Sequence, residues 1–245
     1  MIVIGLTGSI GMGKSTAARA LRRLRVPVFE ADREVQRLLA EDRSVKARIA
    51  AQFPDASGPA GTVDHGRLAD IVFHDPPARR KLETILHPLV RRAEWRFLRQ
   101  AAAGRQKVVA LDMPLLFETG AHAFCDVTVV VSAPPFVQEA RVLKRANMTR
   151  ERFTAIRANQ MPDAEKRRRA HVVVPTGAGQ RTTLNRLRRI VTLARAYGEN
   201  RPAAGRKWLR LAHLLSHGSG RKHTGRKHTG RRHTGRRHTG RKHGG

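Results

Sequence analysis

Residues 2–16 read IVIGLTGSIGMGKST. Ile2 to Leu6 is a short apolar run with β-branched residues, and a Gly-rich turn ends it. From Lys14 to Leu24 the apolar residues Ala17, Ala18, Leu21 and Leu24 recur at helical spacing. Between strand and helix, Gly8, Gly13, Lys14 and Ser15 occupy the fixed positions of G-x-x-x-x-G-K-[ST]. In that pattern backbone N–H groups surround the phosphates of a nucleoside triphosphate, and the glycines let the backbone come close. Lys14 is then expected to bridge the β- and γ-phosphates, and the Ser15 hydroxyl to sit on Mg²⁺. Thr16 follows in the first turn of the helix. The strand before and the helix after argue against a chance match. The motif serves switches, motors and kinases alike, so it names a donor and no acceptor.

Further strand candidates are short. Pro27 to Glu30 reads as a second strand with Asp32 just past its end, Val108 to Leu111 and Val127 to Val131 as continuous apolar strands, and Val172 to Val174 as the last. Uninterrupted apolar runs suit strands buried on both faces of a parallel sheet. Helical patterns lie between them. Arg33 to Phe53 is a basic, partly amphipathic helical region, and a turn is expected at Gly58 to Gly61. Arg67 to Gln100 is expected in pieces broken at Asp75-Pro76-Pro77 and before Pro88. Met148 to Arg169 is a charged helical stretch, and Thr182 to Tyr197 the closing helix. Strands alternating with helices predict an α/β domain with a mainly parallel sheet over residues 1–197. Residues 198–219 read as a linker in which Trp208, Leu209, Leu211, Leu214 and Leu215 suit one short amphipathic helix. Residues 220–245 repeat RKHTG or RRHTG with no apolar residue, and such a basic tail is expected to be disordered.

The composition bounds the partners. Of 245 residues 40% are hydrophobic, enough for a core, and only 4% are aromatic, so Leu, Val, Ile and Ala must fill it. Of the net charge of +30, residues 218–245 carry ten Lys or Arg and no acid, which leaves +20 on the preceding 217 residues. A basic surface steers anions, whether nucleotides, an acidic coenzyme or nucleic acid. The single cysteine, Cys125, permits no intrachain disulfide and suits a reducing compartment. Met1 to Leu6 is too short for a signal sequence, and no run approaches the roughly 18 apolar residues of a membrane span. A cytoplasmic protein is expected.

Outside the phosphate loop, Asp32 lies where ligands bind, past the carboxyl end of a parallel strand. It reads either as a proton acceptor or metal holder, or as the N-cap of the following helix. Asp112, after the third strand, stands where an acid commonly holds Mg²⁺ through water. Arg141, Lys144 and Arg145 share a helix face at i, i+3 and i+4. Arginines closing over a nucleotide neutralise charge on the transferred group, although a charge run also serves as a solvated face.

Taken together these segments resemble the dephospho-CoA kinase family. Glu30-Ala31-Asp32 is similar to its D-A-D segment, and Gly61 to Asp64 with Leu68 to Phe73 to its G-x-[IL]-D-R-x-x-L-x-x-[IV]-V-F block. Leu82 to Pro88 resembles L-E-x-I-x-H-P, and Asp112 to Glu118 resembles D-[IV]-P-L-L-F-E. Gln160-Met161-Pro162 with Glu165-Lys166-Arg167 resembles Q-M-P-x-x-E-K-R. The similarity runs in order from residue 2 to 197. It implies a three-layer, parallel-sheet phosphate-loop kinase with a helical substrate region and a lid. The implied reaction is ATP-dependent phosphorylation of the ribose 3′-hydroxyl of dephospho-CoA, the last step in making coenzyme A.

On this chain the resemblance implies Asp32 as general base, in contact with the acceptor, and Lys14, Arg141 and Arg145 as stabilisers of the transferring phosphate. Gly8, Gly11, Met12, Gly13, Lys14, Ser15 and Thr16 would hold ATP, with Mg²⁺ on Ser15. His87 and Arg91 would lie in the substrate region, and His87 reads equally as a structural residue fixing a turn before Pro88. The chain departs from the family at Glu30 (one methylene longer than Asp), His65 (for Arg, with Arg67 nearby) and Ala146 (for an acid). The family's A-D-x-V-[IL]-D-N-x-G stands here as Ala170 to Gly177 with Pro175-Thr176, which bears on adenine selectivity.

The alternative within enzymes is another small-molecule or nucleotide kinase of the same fold. A GTP switch would need an N-K-x-D loop, and the chain has none. The tail is expected to bind polyanions weakly and without sequence preference. Its five histidines, each flanked by cations, follow no structural zinc spacing.

Overall fold

The computed structural model describes residues 1–58, 62–146 and 148–199. Five strands form one sheet: β1 (Ile2–Thr7), β2 (Val28–Glu30), β3 (Val108–Asp112), β4 (Val127–Ser132) and β5 (Val172–Pro175). All are parallel, in the order β2-β3-β1-β4-β5. Every residue of β1, β3 and β4 is buried, as their apolar runs require. Alternation sends neighbouring side chains to opposite faces. Ile2, Ile4, Leu6, Val108 and Ala110 face a core closed by α1 (Lys14–Arg23) and α9 (Gln180–Glu199). Val3, Val109 and Leu111 face a second core closed by α2 (Ala31–Glu41), α3 (Arg43–Gln52), α4 (His65–His74) and α5 (Pro76–Ala103). The result is the expected three-layer α/β domain. Of the remaining α-helices, α6 (Pro135–Leu143) follows β4 and packs against α7 (Arg150–Ala158), and α8 (Asp163–Arg169) packs against β4 and leads into β5. Among the described residues no helix is long and apolar enough to cross a membrane.

The structure divides two of the expected helical regions and overturns one expected break. The stretch 33–53 is two helices, because the Asp42 carboxylate accepts from the Ser44 and Val45 N–H groups at 2.9 and 3.1 Å and starts α3 afresh. The break expected before Pro88 is absent, and α5 runs straight through it. A proline inside a helix costs about 3 kcal/mol. Pro88 is on the exposed face, where the carbonyl it leaves unpaired meets water, while Ile85, Leu86 and Val90 are buried on the other. Burial of such side chains contributes about 1.5–3 kcal/mol each and outweighs the defect. The structural role considered for His87 therefore falls away, since no turn exists there for it to fix. The charged stretch 148–169 is also two helices, parted by Asn159 to Pro162. Asp75 with Pro76 ends α4 and starts α5 as expected. The turn at Gly58 to Gly61 is described only at Gly58, whose N–H donates to the Thr62 carbonyl at 2.8 Å. The linker after Glu199, the segment around Trp208 to Leu215 and the basic repeat lie outside the described residues.

Candidate active site

Each strand delivers its last residue to the same edge of the sheet. β1 sits at the centre, and the chain crosses from one side of it to the other between β3 and β4, which opens a crevice past the carboxyl ends. The loop from Gly8 to Gly13 fills that crevice. Gly11 and Gly13 have φ of 76° and 89°, the left-handed region that side-chain-bearing residues avoid. A Cβ on Gly11 would in addition stand 2.5 Å from Val142 Cγ2 and 2.9 Å from the Gln138 carbonyl. The loop ends at Gly13, the N-cap of α1, so the first N–H groups of that helix face the crevice.

A cavity of about 450 Å³ opens over the loop. Of the residues singled out from sequence, Gly8, Gly11, Gly13, Lys14, Ser15, Thr16, Asp32, Arg141 and Arg145 all line it, although they come from three separate segments. Met12 does not. Its side chain is buried in the core, where Sδ accepts the Ala133 N–H at 3.1 Å, so only its backbone serves the loop. His87 and Arg91 also lie outside the cavity, on the exposed face of α5, with the Arg91 guanidinium 5.2 Å from the centre of the Phe124 ring.

Lys14 is the electrostatic centre. Its ammonium donates to Asp112 Oδ1 at 2.8 Å and lies 3.8 Å from Asp32 Oδ2. The two carboxylates differ in setting: the Asp112 side chain is 2% exposed and that of Asp32 is 69% exposed. Burial pushes the Asp112 carboxyl above its ordinary range, and Lys14 pulls it back only in part. Asp32 is not an N-cap. That position belongs to Glu30, and Asp32 stands in the first turn of α2 with its carboxylate toward the cavity. Glu30 pairs with Arg22 and does not line the cavity.

The cations opposite are held in different ways. Arg141, near the end of α6, donates to the Thr176 hydroxyl at 3.1 Å and to its carbonyl at 2.8 Å. Arg145 lies beyond the helix, is exposed and lines the cavity, whereas Lys144 does not line it. The single helix face expected for the three is thus cut short. Arg67, weighed as a substitute for the family's arginine at position 65, is exposed beside Asp64, outside the cavity.

Thr176 was legible only as a departure from a pattern, yet it joins three elements. Its hydroxyl donates to the Met12 carbonyl at 2.8 Å and accepts from Arg141, and its N–H donates to the Ser132 carbonyl at 2.8 Å. Gln138 was not singled out, and Gln160 only as part of the segment resembling Q-M-P. They grip the loop at Ile10, the first donating to its carbonyl and the second accepting from its N–H. No local signal marks these contacts, because each joins its residue to a partner more than 100 positions away.

A loop of inward N–H groups, three cations and two carboxylates can hold a polyphosphate and accept a proton beside it. The dephospho-CoA kinase family model matches residues 2–180. The dephospho-CoA kinase of Rhodospirillum rubrum is 51% identical over 195 residues, covering 80% of this chain and 92% of that protein. That of Paramagnetospirillum magneticum is 52% identical over 204 residues, covering 83% and 94%. Among solved structures, the Thermus thermophilus protein TT1252 is similar with a TM-score of 0.69 at 36% identity, covering 78% of this chain and 96% of that one. The dephospho-CoA kinase of Campylobacter jejuni, at 22% identity and a TM-score of 0.55 over 78% of this chain and 95% of its own, shares the fold. A match over most of the domain, at such identity and on such a site, means that this chain belongs to the dephospho-CoA kinase family.

Proposed function

We propose that the protein transfers the γ-phosphoryl group of ATP to the ribose 3′-hydroxyl of dephospho-CoA, giving coenzyme A and ADP. The observation that carries this reading is the meeting of Lys14, Asp32, Arg141 and Arg145 over the phosphate loop in one cavity, in a chain of this family. Asp32 is the general base. Its exposed carboxylate takes the 3′-hydroxyl proton as that oxygen attacks the γ-phosphorus and the bond to the β-phosphate oxygen breaks. Lys14, kept in place by Asp112, meets the β- and γ-phosphates, and Arg141 and Arg145 offset charge on the transferred group. Loop residues Gly8 to Gly13 and Ser15-Thr16 hold ATP through backbone N–H groups and hydroxyls, with Met12 contributing backbone only.

Mg²⁺ suits the oxygen donors present. The exposed Ser15 hydroxyl lines the cavity that Asp32 also lines, and the Asp112 carboxylate lies behind it on Lys14. Such an ion supplies charge neutralisation on the phosphate oxygens. His87 and Arg91, outside the cavity on α5, are assigned to the far part of the acceptor. The basic repeat at 220–245 adds weak, salt-sensitive polyanion binding.

A coupled ADP-release assay on the full chain tests the reading. Turnover is expected with ATP and dephospho-CoA, and Asp32→Asn is expected to lower kcat by about 10²–10⁴-fold with ATP affinity kept. Phosphorylation of a nucleoside monophosphate with none of dephospho-CoA would reject the acceptor. An Asp32→Asn enzyme with weakened ATP binding and unchanged kcat would reject the base.

A further inference from the structure

The connection between α7 and α8 brings Gln160 to the wall of the phosphate cavity. There the Ile10 N–H donates to Gln160 Oε1 at 2.9 Å, and the Ile10 carbonyl accepts from Gln138 Nε2 at 2.7 Å. The first bond settles which end of the Gln160 carboxamide is which, since only the oxygen can accept from an N–H. The amide nitrogen is therefore the other end. Among the described residues no acceptor meets it. A carboxamide fixed through its oxygen, with two N–H donors unused, is an oriented donor toward whatever anion enters.

The backbone that carries Gln160 is itself anchored. The next residue, Met161, donates its N–H to Glu118 Oε1 at 2.8 Å. The same carboxylate pairs at 2.9 Å with Lys166, whose side chain is 0% exposed and which donates to the Pro114 carbonyl at 2.8 Å. Pro114 lines the cavity as well and accepts the Thr7 hydroxyl at 3.0 Å. Gln160 thus stands on a support tied to the ends of β1 and β3, facing the cavity shared by Lys14, Asp32, Arg141 and Arg145.

We propose that Gln160 is a further catalytic residue, whose Nε2 donates a hydrogen bond to an oxygen of the γ-phosphoryl group before and during transfer. This rests on the reading of the cavity as the site of phosphoryl transfer. The residue gives up no proton. It acts as a neutral donor already aimed where charge gathers, which avoids reorganisation during the reaction.

The test compares wild type, Gln160→Glu and Gln160→Ala as full-length proteins, with kcat measured on ATP and dephospho-CoA and affinity measured for ATP and for ADP. Gln160→Glu keeps an oxygen for the Ile10 N–H but replaces the donor by a carboxylate oxygen. It is expected to lower kcat by about 10²–10³-fold and to weaken ATP by about 10- to 100-fold, while ADP binds as in wild type. Wild-type kcat and ATP affinity in Gln160→Glu would overturn the proposal, leaving Gln160 only its hold on Ile10. Parallel loss of ATP and ADP affinity would overturn it too, because that marks a distorted loop. Should Gln160→Glu not fold, the same comparison is made on Gln160→Ala: loss of kcat and ATP affinity with ADP affinity kept supports the proposal, and any other pattern rejects it. A wild-type protein without turnover on dephospho-CoA would fault the acceptor assignment alone, and the ATP and ADP affinities would still judge Gln160.

Discussion

Two carboxylates within 4 Å of the Lys14 ammonium have been given different work by their surroundings. Asp112 is buried and spends its charge on Lys14, whereas Asp32 is open to solvent and lines the cavity. Burial acts likewise on the lone cysteine, pushing the Cys125 thiol up to about 12, away from the range of a reactive thiolate. Glu94, on the inner side of α5, shows the cost of burial. It is 7% exposed, and burial raises its carboxyl above the ordinary range while Arg91 draws it back in part. A carboxyl raised on folding binds protons better in the native state, so the folded protein gains stability as pH falls through the raised value. Glu94→Gln is therefore expected to raise Tm at neutral pH. The gain should shrink on acidification and vanish below the unfolded value of about 4.3. Thermal melts of both proteins across pH check this, and a Tm difference constant with pH would contradict it.

At the scale of elements, α8 is the least self-sufficient helix, with seven residues of which four in the last turn are basic. Its hold on the domain is the buried Lys166, paired with Glu118 and bonded to the Pro114 carbonyl. Burial raises the Glu118 carboxyl, but Lys166 and the Met161 N–H together outweigh that and keep it below the ordinary range. A carboxyl lowered on folding contributes stability above its unfolded value and loses it as pH falls through the lowered one. Lys166→Met keeps an apolar stem but strands Glu118, and about 2–4 kcal/mol of stability should be lost. Adding Glu118→Gln should restore part of that. Denaturant unfolding measures both, and a single variant within about 0.5 kcal/mol of wild type would remove Lys166 as the anchor. The helix boundaries around this anchor were poorly legible in advance. A charged run such as 148–169 carries weak apolar periodicity, so only Asn159 and Pro162 marked the break between its two helices. At Pro88 the opposite held: a strong local breaker was overruled by the apolar face packed beneath it.

For the molecule as a whole, the charge of +30 draws anions toward a site that itself binds anions. The closing helix runs to Glu199, two residues past the boundary expected from sequence, and near its end Gly198 lies 3.5 Å from an Ile2 side-chain carbon, counting from a Cβ placed on the glycine. We place the catalytic unit at residues 1–199. A protein cut after Glu199 is expected to keep its kcat on dephospho-CoA and to lose most of its affinity for single-stranded nucleic acid, together with the steep salt dependence of that binding. Steady-state kinetics and a salt titration of binding check the two halves. A large drop in kcat would bring the removed segment into catalysis.

The sequence by itself determined the parallel sheet, since uninterrupted runs such as Val127 to Val131 have no other stable home than a sheet covered on both faces. It also determined the phosphate loop, whose glycines act through backbone conformation and whose lysine and serine act through side chains, all within eight residues. Asp32 was legible as a position past a strand end, while only the tertiary structure removed the helix-cap role and set its carboxylate on the cavity wall. That structure alone brought Gln138 and Gln160 to Ile10, Thr176 to Met12 and Arg141, and Lys166 to Glu118. Each of these is a directional bond between segments remote in sequence, created when the sheet order sets β1 between β3 and β4, and no periodicity along the chain encodes it.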